Sequence, residues 1–235
     1  MKQSEPKQSK VSAMSHRLLR TVIVALALGA APALAQISAD QVKQRYDKQT
    51  KGAGVEEWAR KMNSDDPLER LEGVRSLSES TDPAAVPYLV QALGDGDMRV
   101  KAKAIDACGS ARAADATPVL VQMLFLRGTS PEVEQRILAA LGKIGDQRAA
   151  PPIVEFLGRD LDHATRGTAI FALGDIADPS TLEFLDKLAG EEAHPTLKRL
   201  SREAAAKVRY QQTVKQTEAK QPLDSFLHQD QPPPQ

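Results

Sequence analysis

Ser130–Leu157 reads SPEVEQRILAALGKIGDQRAAPPIVEFL. Val133, Ile137, Leu138, Leu141 and Ile144 follow one another at helical spacings, which puts them on one face of a helix. Ser130 stands before Pro131 as an N-cap before a first-turn proline, the order a helix start favours. Asp146 then caps a second helix, whose stripe is Ala150, Ile153, Val154 and Leu157. Pro151 falls near its first turn, where a missing N–H does little harm. Two short helices with one apolar face each cannot bury those faces alone. The stretch therefore predicts one unit of a stack.

The same phrase recurs on both sides. Leu77, Cys108, Leu141 and Leu173 mark it, at gaps of 31, 33 and 32 residues. Eleven residues before these points stand Asp66, Asp97, Ser130 and Asp162. Five after, Asp82, Asp146 and Asp178 recur, and ten after stand Pro87, Pro118 and Pro151, with Glu183 in the fourth copy. Gly94, Gly158 and Gly190 close three of the second helices and are read as terminators. Small residues one before the reference points (Ala107, Ala140, Ala172) leave room for a neighbouring helix. A period in this range signals stacked supersecondary units. The expected fold is all-α, an α-solenoid of about four antiparallel helix pairs with capping helices at both ends, occupying residues 55–210. Upstream, Val55, Trp58, Ala59 and Met62 repeat the second-helix stripe as a half-repeat plugged by Trp58. Downstream, the helix from Pro195 keeps Leu197, Ala205 and Val208 but places Ser201 and Arg202 where aliphatics stood, as a water-facing terminal repeat requires.

On these residues the unit resembles the short HEAT repeat of the bilin-lyase (PBS lyase) type. The most specific match is Leu141-Gly142-Lys143-Ile144-Gly145-Asp146 with Leu173-Gly174-Asp175-Ile176-Ala177-Asp178. The family's arginine seven before the reference point corresponds to Arg70, Lys101, Glu134, Arg166 and Lys198, so the third copy departs from the pattern. The resemblance implies a protein-interaction scaffold. It does not imply bilin chemistry, which belongs to a few members.

The flanks read differently. Residues 14–35, MSHRLLRTVIVALALGAAPALA, carry a basic start (His16, Arg17, Arg20), an apolar run and Ala33-Leu34-Ala35 before Gln36. That is a signal peptide within residues 1–35, cleaved after Ala35, with translation beginning at Met1 or Met14. No Cys follows the cleavage site, so no lipid anchor is expected. Residues 36–54 hold a short helix over 38–50 and a Gly52-Ala53-Gly54 hinge. Residues 211–235, rich in Gln and ending in QPPPQ, are read as a disordered tail. Within it Pro222–Leu227 is an apolar island, either a docking motif or plain tail.

Charge and composition narrow the function. The chain carries 31 basic and 31 acidic residues. Residues 1–35 hold five of the bases (Lys2, Lys7, Lys10, Arg17, Arg20) and one acid (Glu5), leaving 26 and 30, a net of −4. A mildly acidic exported chain is a poor nucleic-acid binder, and no membrane insertion is expected after signal cleavage. The single Cys108 occupies a core position and cannot form an intrachain disulfide. Gly-rich phosphate loops, His-Glu-x-x-His and Cys-x-x-Cys are absent. Glu191, Glu192 and His194 form a loop cluster whose acids suit a helix N-terminus better than a metal. No catalytic residue, metal or cofactor is therefore assigned.

What remains is a binding ladder. Eleven residues after each reference point stand Tyr88, Val119, Pro152 and Phe184; fourteen after stand Gln91, Gln122, Glu155 and Lys187. Second helices line the concave side of such stacks. The apolar row is either packing between repeats or a row of partner contacts edged by the polar one. The expectation is an exported, periplasmic or secreted, non-catalytic scaffold that binds a protein through this face. The alternatives are a subunit of a lyase-like or other envelope enzyme and a self-associating envelope protein.

Overall fold

A computed structural model describes residues 53–227, with side chains over 54–218. The signal peptide and the helix expected over 38–50 lie outside the described residues. Within them the chain forms ten α-helices and no strand. In order they are α1 (Ala53–Lys61), α2 (Pro67–Glu79), α3 (Val86–Ala92), α4 (Met98–Ser110), α5 (Thr117–Leu124), α6 (Pro131–Ile144), α7 (Ala150–Phe156), α8 (His163–Ile176), α9 (Leu182–Glu191) and α10 (Pro195–Leu227). A 3-10 turn precedes each of α3, α5, α7 and α9.

The aspartates set these boundaries. Asp66, Asp97 and Asp162 accept the backbone N–H of Leu68, Arg99 and Ala164 at the starts of α2, α4 and α8. Asp82, Asp146 and Asp178 accept from Ala84, Arg148 and Ser180, capping the 3-10 turns rather than the α-helices that follow them. Ser130 departs from expectation. Its backbone is extended at the cap position, but its hydroxyl makes no capping bond; the nearby Ser130 side chain instead holds the Glu132 carboxyl below its usual range. The second copy has Ala113 where the others have a capping Asp. There Arg148 of the next repeat donates to Ala114 O at 3.1 Å and closes the turn from outside.

Two layers result. The first helices pack side by side, α2 on α4, α4 on α6, α6 on α8 and α8 on α10, while α1, α3, α5 and α9 lie against them. Leu77, Ile105, Cys108, Leu138, Leu141, Ile170 and Leu173 from the first layer are wholly buried, as are Leu120, Ile153 and Leu185 from the second. The small residues at 107, 140 and 172 are buried as expected, and a second column meets them. A Cβ on Gly109 would stand 2.9 Å from Ala140 Cα, one on Gly142 3.2 Å from Ala172 Cα, and one on Gly174 3.0 Å from Ala204 Cα. These glycines lie inside helices, where they admit the next backbone instead of ending a helix.

The ends differ from expectation in three places. Ala53 and Gly54 belong to α1 rather than to a hinge, because the Trp58 ring folds back to within 2.9 Å of where a Gly54 Cβ would be. Val55, Ala59 and Met62 are buried beside it, as a half-repeat requires. Ser201 is wholly buried, not water-facing; its Oγ donates to Leu197 O at 2.9 Å, so a hydroxyl sits in the core without an unmade bond. Arg202 is exposed. The last helix continues to Leu227, through residues expected to be unstructured. Extending an existing helix adds one bond per residue fixed and needs no new nucleus. Residues 228–235 lie outside the described residues.

Candidate functional site

The second helices are short, seven to ten residues, and each presents the same two rows. Gln91, Gln122, Glu155 and Lys187 are all exposed. Tyr88, Val119 and Phe184 are half-buried and pack against the core; Pro152 is also half-buried. The apolar row thus takes part in packing and still shows part of each side chain, with the polar row standing in solvent beside it.

Between the repeats runs a second ladder, seven residues before each reference point. Arg70 donates to Ser64 O and Asp65 O at 3.0 and 3.1 Å, and its guanidinium pairs with both oxygens of Asp95 at 2.8 and 2.9 Å. That pairing holds the Asp95 carboxyl below the usual range. Arg166 donates to Arg159 O at 3.4 Å and Lys198 to Gly190 O at 3.1 Å. Arg70 and Arg166 tie their helices to carbonyls of the loop before them, and Lys198 ties α10 to the last turn of α9. The two remaining positions differ. Burial pushes the Glu134 carboxyl up, and Lys101 makes neither an ion pair nor a side-chain hydrogen bond among the described residues.

Lys101 borders a cavity of about 430 Å³ at the boundary between the second and third repeats, where Phe125–Ser130 joins α5 to α6. Leu93, Met98, Val119, Met123 and Val133 line it, and Leu126 and Arg127 stand at the loop. Gly128 turns the loop at a φ of 81°, and Thr129 Oγ1 ties it down on Leu126 O and Met123 O. Met98 and Leu126 are 52% and 60% exposed. Of the residues expected to bind a partner, Val119 alone lines this cavity. Leu126-Arg127-Gly128, an apolar residue in a loop beside a cation, is the sequence signal that marks it.

A family model described as HEAT repeats matches residues 55–125 and 124–206. The chain belongs to the HEAT-repeat family. Among solved structures, the complex of CpcE and CpcF of phycocyanin lyase from Nostoc sp. PCC7120 is similar at 19% identity and a TM-score of 0.54, covering 75% of this chain and 70% of that one. An engineered protein is similar at 21% identity and a TM-score of 0.49, over 85% and 93%. No curated protein matches the chain.

Two groups on this HEAT-repeat chain have the residue types of chemistry. Cys108 is wholly buried and its thiol is pushed up to about 12 by that burial, so it is not a nucleophile near neutral pH. Glu192 Oε1 accepts the His194 N–H at 3.1 Å, closing the turn before α10, and the His194 ring lies 4.3 Å from that of His163. Among the described residues no group of three or more His, Cys, Asp or Glu is placed to hold a metal.

Proposed function

We propose that this HEAT-repeat protein is an exported, non-catalytic scaffold that takes a protein partner across its second-helix face, the side expected to be concave. The observation that carries this is the constant double row. Tyr88, Val119, Pro152 and Phe184 are half-buried beside exposed Gln91, Gln122, Glu155 and Lys187, on the second helix of each of four repeats. Aromatic anchors in polar surroundings are the composition of binding hot spots. Export rests on the signal peptide within residues 1–35, and N-terminal sequencing of the envelope form should begin at Gln36.

The test is capture from envelope extract by the mature protein beside a Tyr88→Ala/Phe184→Ala variant of equal helicity. A partner held by the first and lost by the second supports the scaffold. Loss of thermal stability with unchanged capture would make the row internal packing only. The likeness to a lyase complex favours one other reading, an accessory subunit of an envelope enzyme. A chromophore or metal in the mass spectrum of the purified protein would support that instead.

A further inference from the structure

The cavity at the second repeat boundary joins three features that packing alone does not need. Its wall is apolar and adaptable, with two methionines, Met98 and Met123, the side-chain type that accommodates varied partners. Its edge carries Lys101, whose counterparts Arg70, Arg166 and Lys198 all bind backbone carbonyls while it has no ion pair or side-chain hydrogen bond among the described residues. Arg127 lies on the same edge and is likewise without an ion-pair partner among the described residues. Of the acids close by in sequence, Asp95 pairs with Arg70 and Asp97 with Arg99, while Glu132 and Glu134 stand in the first turn of α6 without an ion pair among the described residues. The cavity is therefore a largely apolar hole lined by two cations that have no ion pair among the described residues.

We propose that this cavity takes one apolar side chain of an acidic peptide segment, with Lys101 and Arg127 pairing the carboxylates that flank it. At about 430 Å³ it lies near the small end of ligand pockets, room for one or two side chains. Val119, a member of the half-exposed row of the second helices, lines it, so a segment running along that row would pass beside it. This deepens the scaffold reading by naming the chemistry of the partner, and it rests on that reading only for the direction from which the segment arrives.

The probe is the peptide acetyl-Asp-Leu-Phe-Asp-amide, set against its isostere acetyl-Asn-Leu-Phe-Asn-amide, on protein labelled at the methionine methyls with carbon-13. In low-salt buffer the acidic peptide should shift the Met98 and Met123 signals and leave Met62, at the far end of the stack, in place. It should bind about fivefold tighter than the isostere, the gain two partly exposed ion pairs supply. In a Lys101→Gln/Arg127→Gln variant of unchanged helicity and melting temperature, that advantage should fall below about twofold. Equal affinity of the two peptides, equal shifts at Met62, or no shift at all overturns the proposal. Laurate moving the same two methyls at lower concentration than the peptide also overturns it, in favour of a fatty-acid site. The readout is separate from partner capture. Peptide binding alongside failed capture by the second-helix face leaves the cavity standing, and the converse leaves the face standing.

Discussion

The two helical layers bury residues equally well and behave as different materials. In the first, Gly109, Gly142 and Gly174 receive Ala140, Ala172 and Ala204 so closely that the backbones meet, and each helix lies along the next. In the second, helices of seven to ten residues lean chiefly on the first layer and on the following 3-10 turn. Their polar row, Gln91, Gln122, Glu155 and Lys187, stands exposed. Continuity in one layer ties the stack together; in the other, the exposed polar row can change without loosening it. A sequence drift that would unfold the protein through the first layer would retune recognition through the second.

That contrast can be broken most forcefully in the core. Leu141→Ala should cost about 2–5 kcal/mol in urea unfolding, whereas Gln122→Ala should stay within about 0.5 kcal/mol of the parent. A sharper version uses one substitution with opposite signs. Gly109→Ala, favourable by helix propensity, should destabilise by about 1–3 kcal/mol because the new methyl meets the Ala140 backbone. Gly190→Ala in α9 meets nothing and should stabilise by up to about 1 kcal/mol. If both glycines respond alike, the close approach of the first layer is not what holds it.

The repeat boundaries give a smaller effect with a pH signature. Asp95→Asn removes the carboxylate that Arg70 grips across two loops and should cost about 1–2 kcal/mol at neutral pH. Arg70 lowers the Asp95 carboxyl in the folded state, so its contribution is complete above the unfolded carboxylate value. It is lost as pH falls through the folded one. Thermal scans from neutral to acid pH should therefore show the parent and the variant converging at low pH. Smallest in consequence, Cys108 should resist a thiol reagent in buffer and react fully in denaturant, since burial pushes its thiol up to about 12.

Much of this architecture was legible from residue types at fixed offsets. Asp66, Asp97 and Asp162 start helices where the spacing predicts, and Val55 to Met62 form the expected half-repeat. Caps and stripes act within a few residues, so a sequence displays them. The glycine column at 109, 142 and 174 was equally visible, but its meaning depends on which neighbouring residue crosses it. That is set by helix register in space. Ser201 looked like a solvent-facing position for a similar reason, because its satisfaction by Leu197 O is a property of the helix backbone. For the candidate site, the two rows on the second helices were readable, with Tyr88 and Phe184 half-buried rather than wholly one thing or the other. The cavity at Phe125–Ser130 was readable only in its loop, Leu126-Arg127-Gly128, because the wall that Met98 and Lys101 add is set by how the helices pack in space.

Hydrogen exchange on the mature protein, with and without a partner captured from envelope extract, tests the division between layers most directly. The account predicts new protection over residues 86–93, 117–124, 150–157 and 182–191, with α2 and α8 unchanged. Protection confined to the first-layer helices would contradict it.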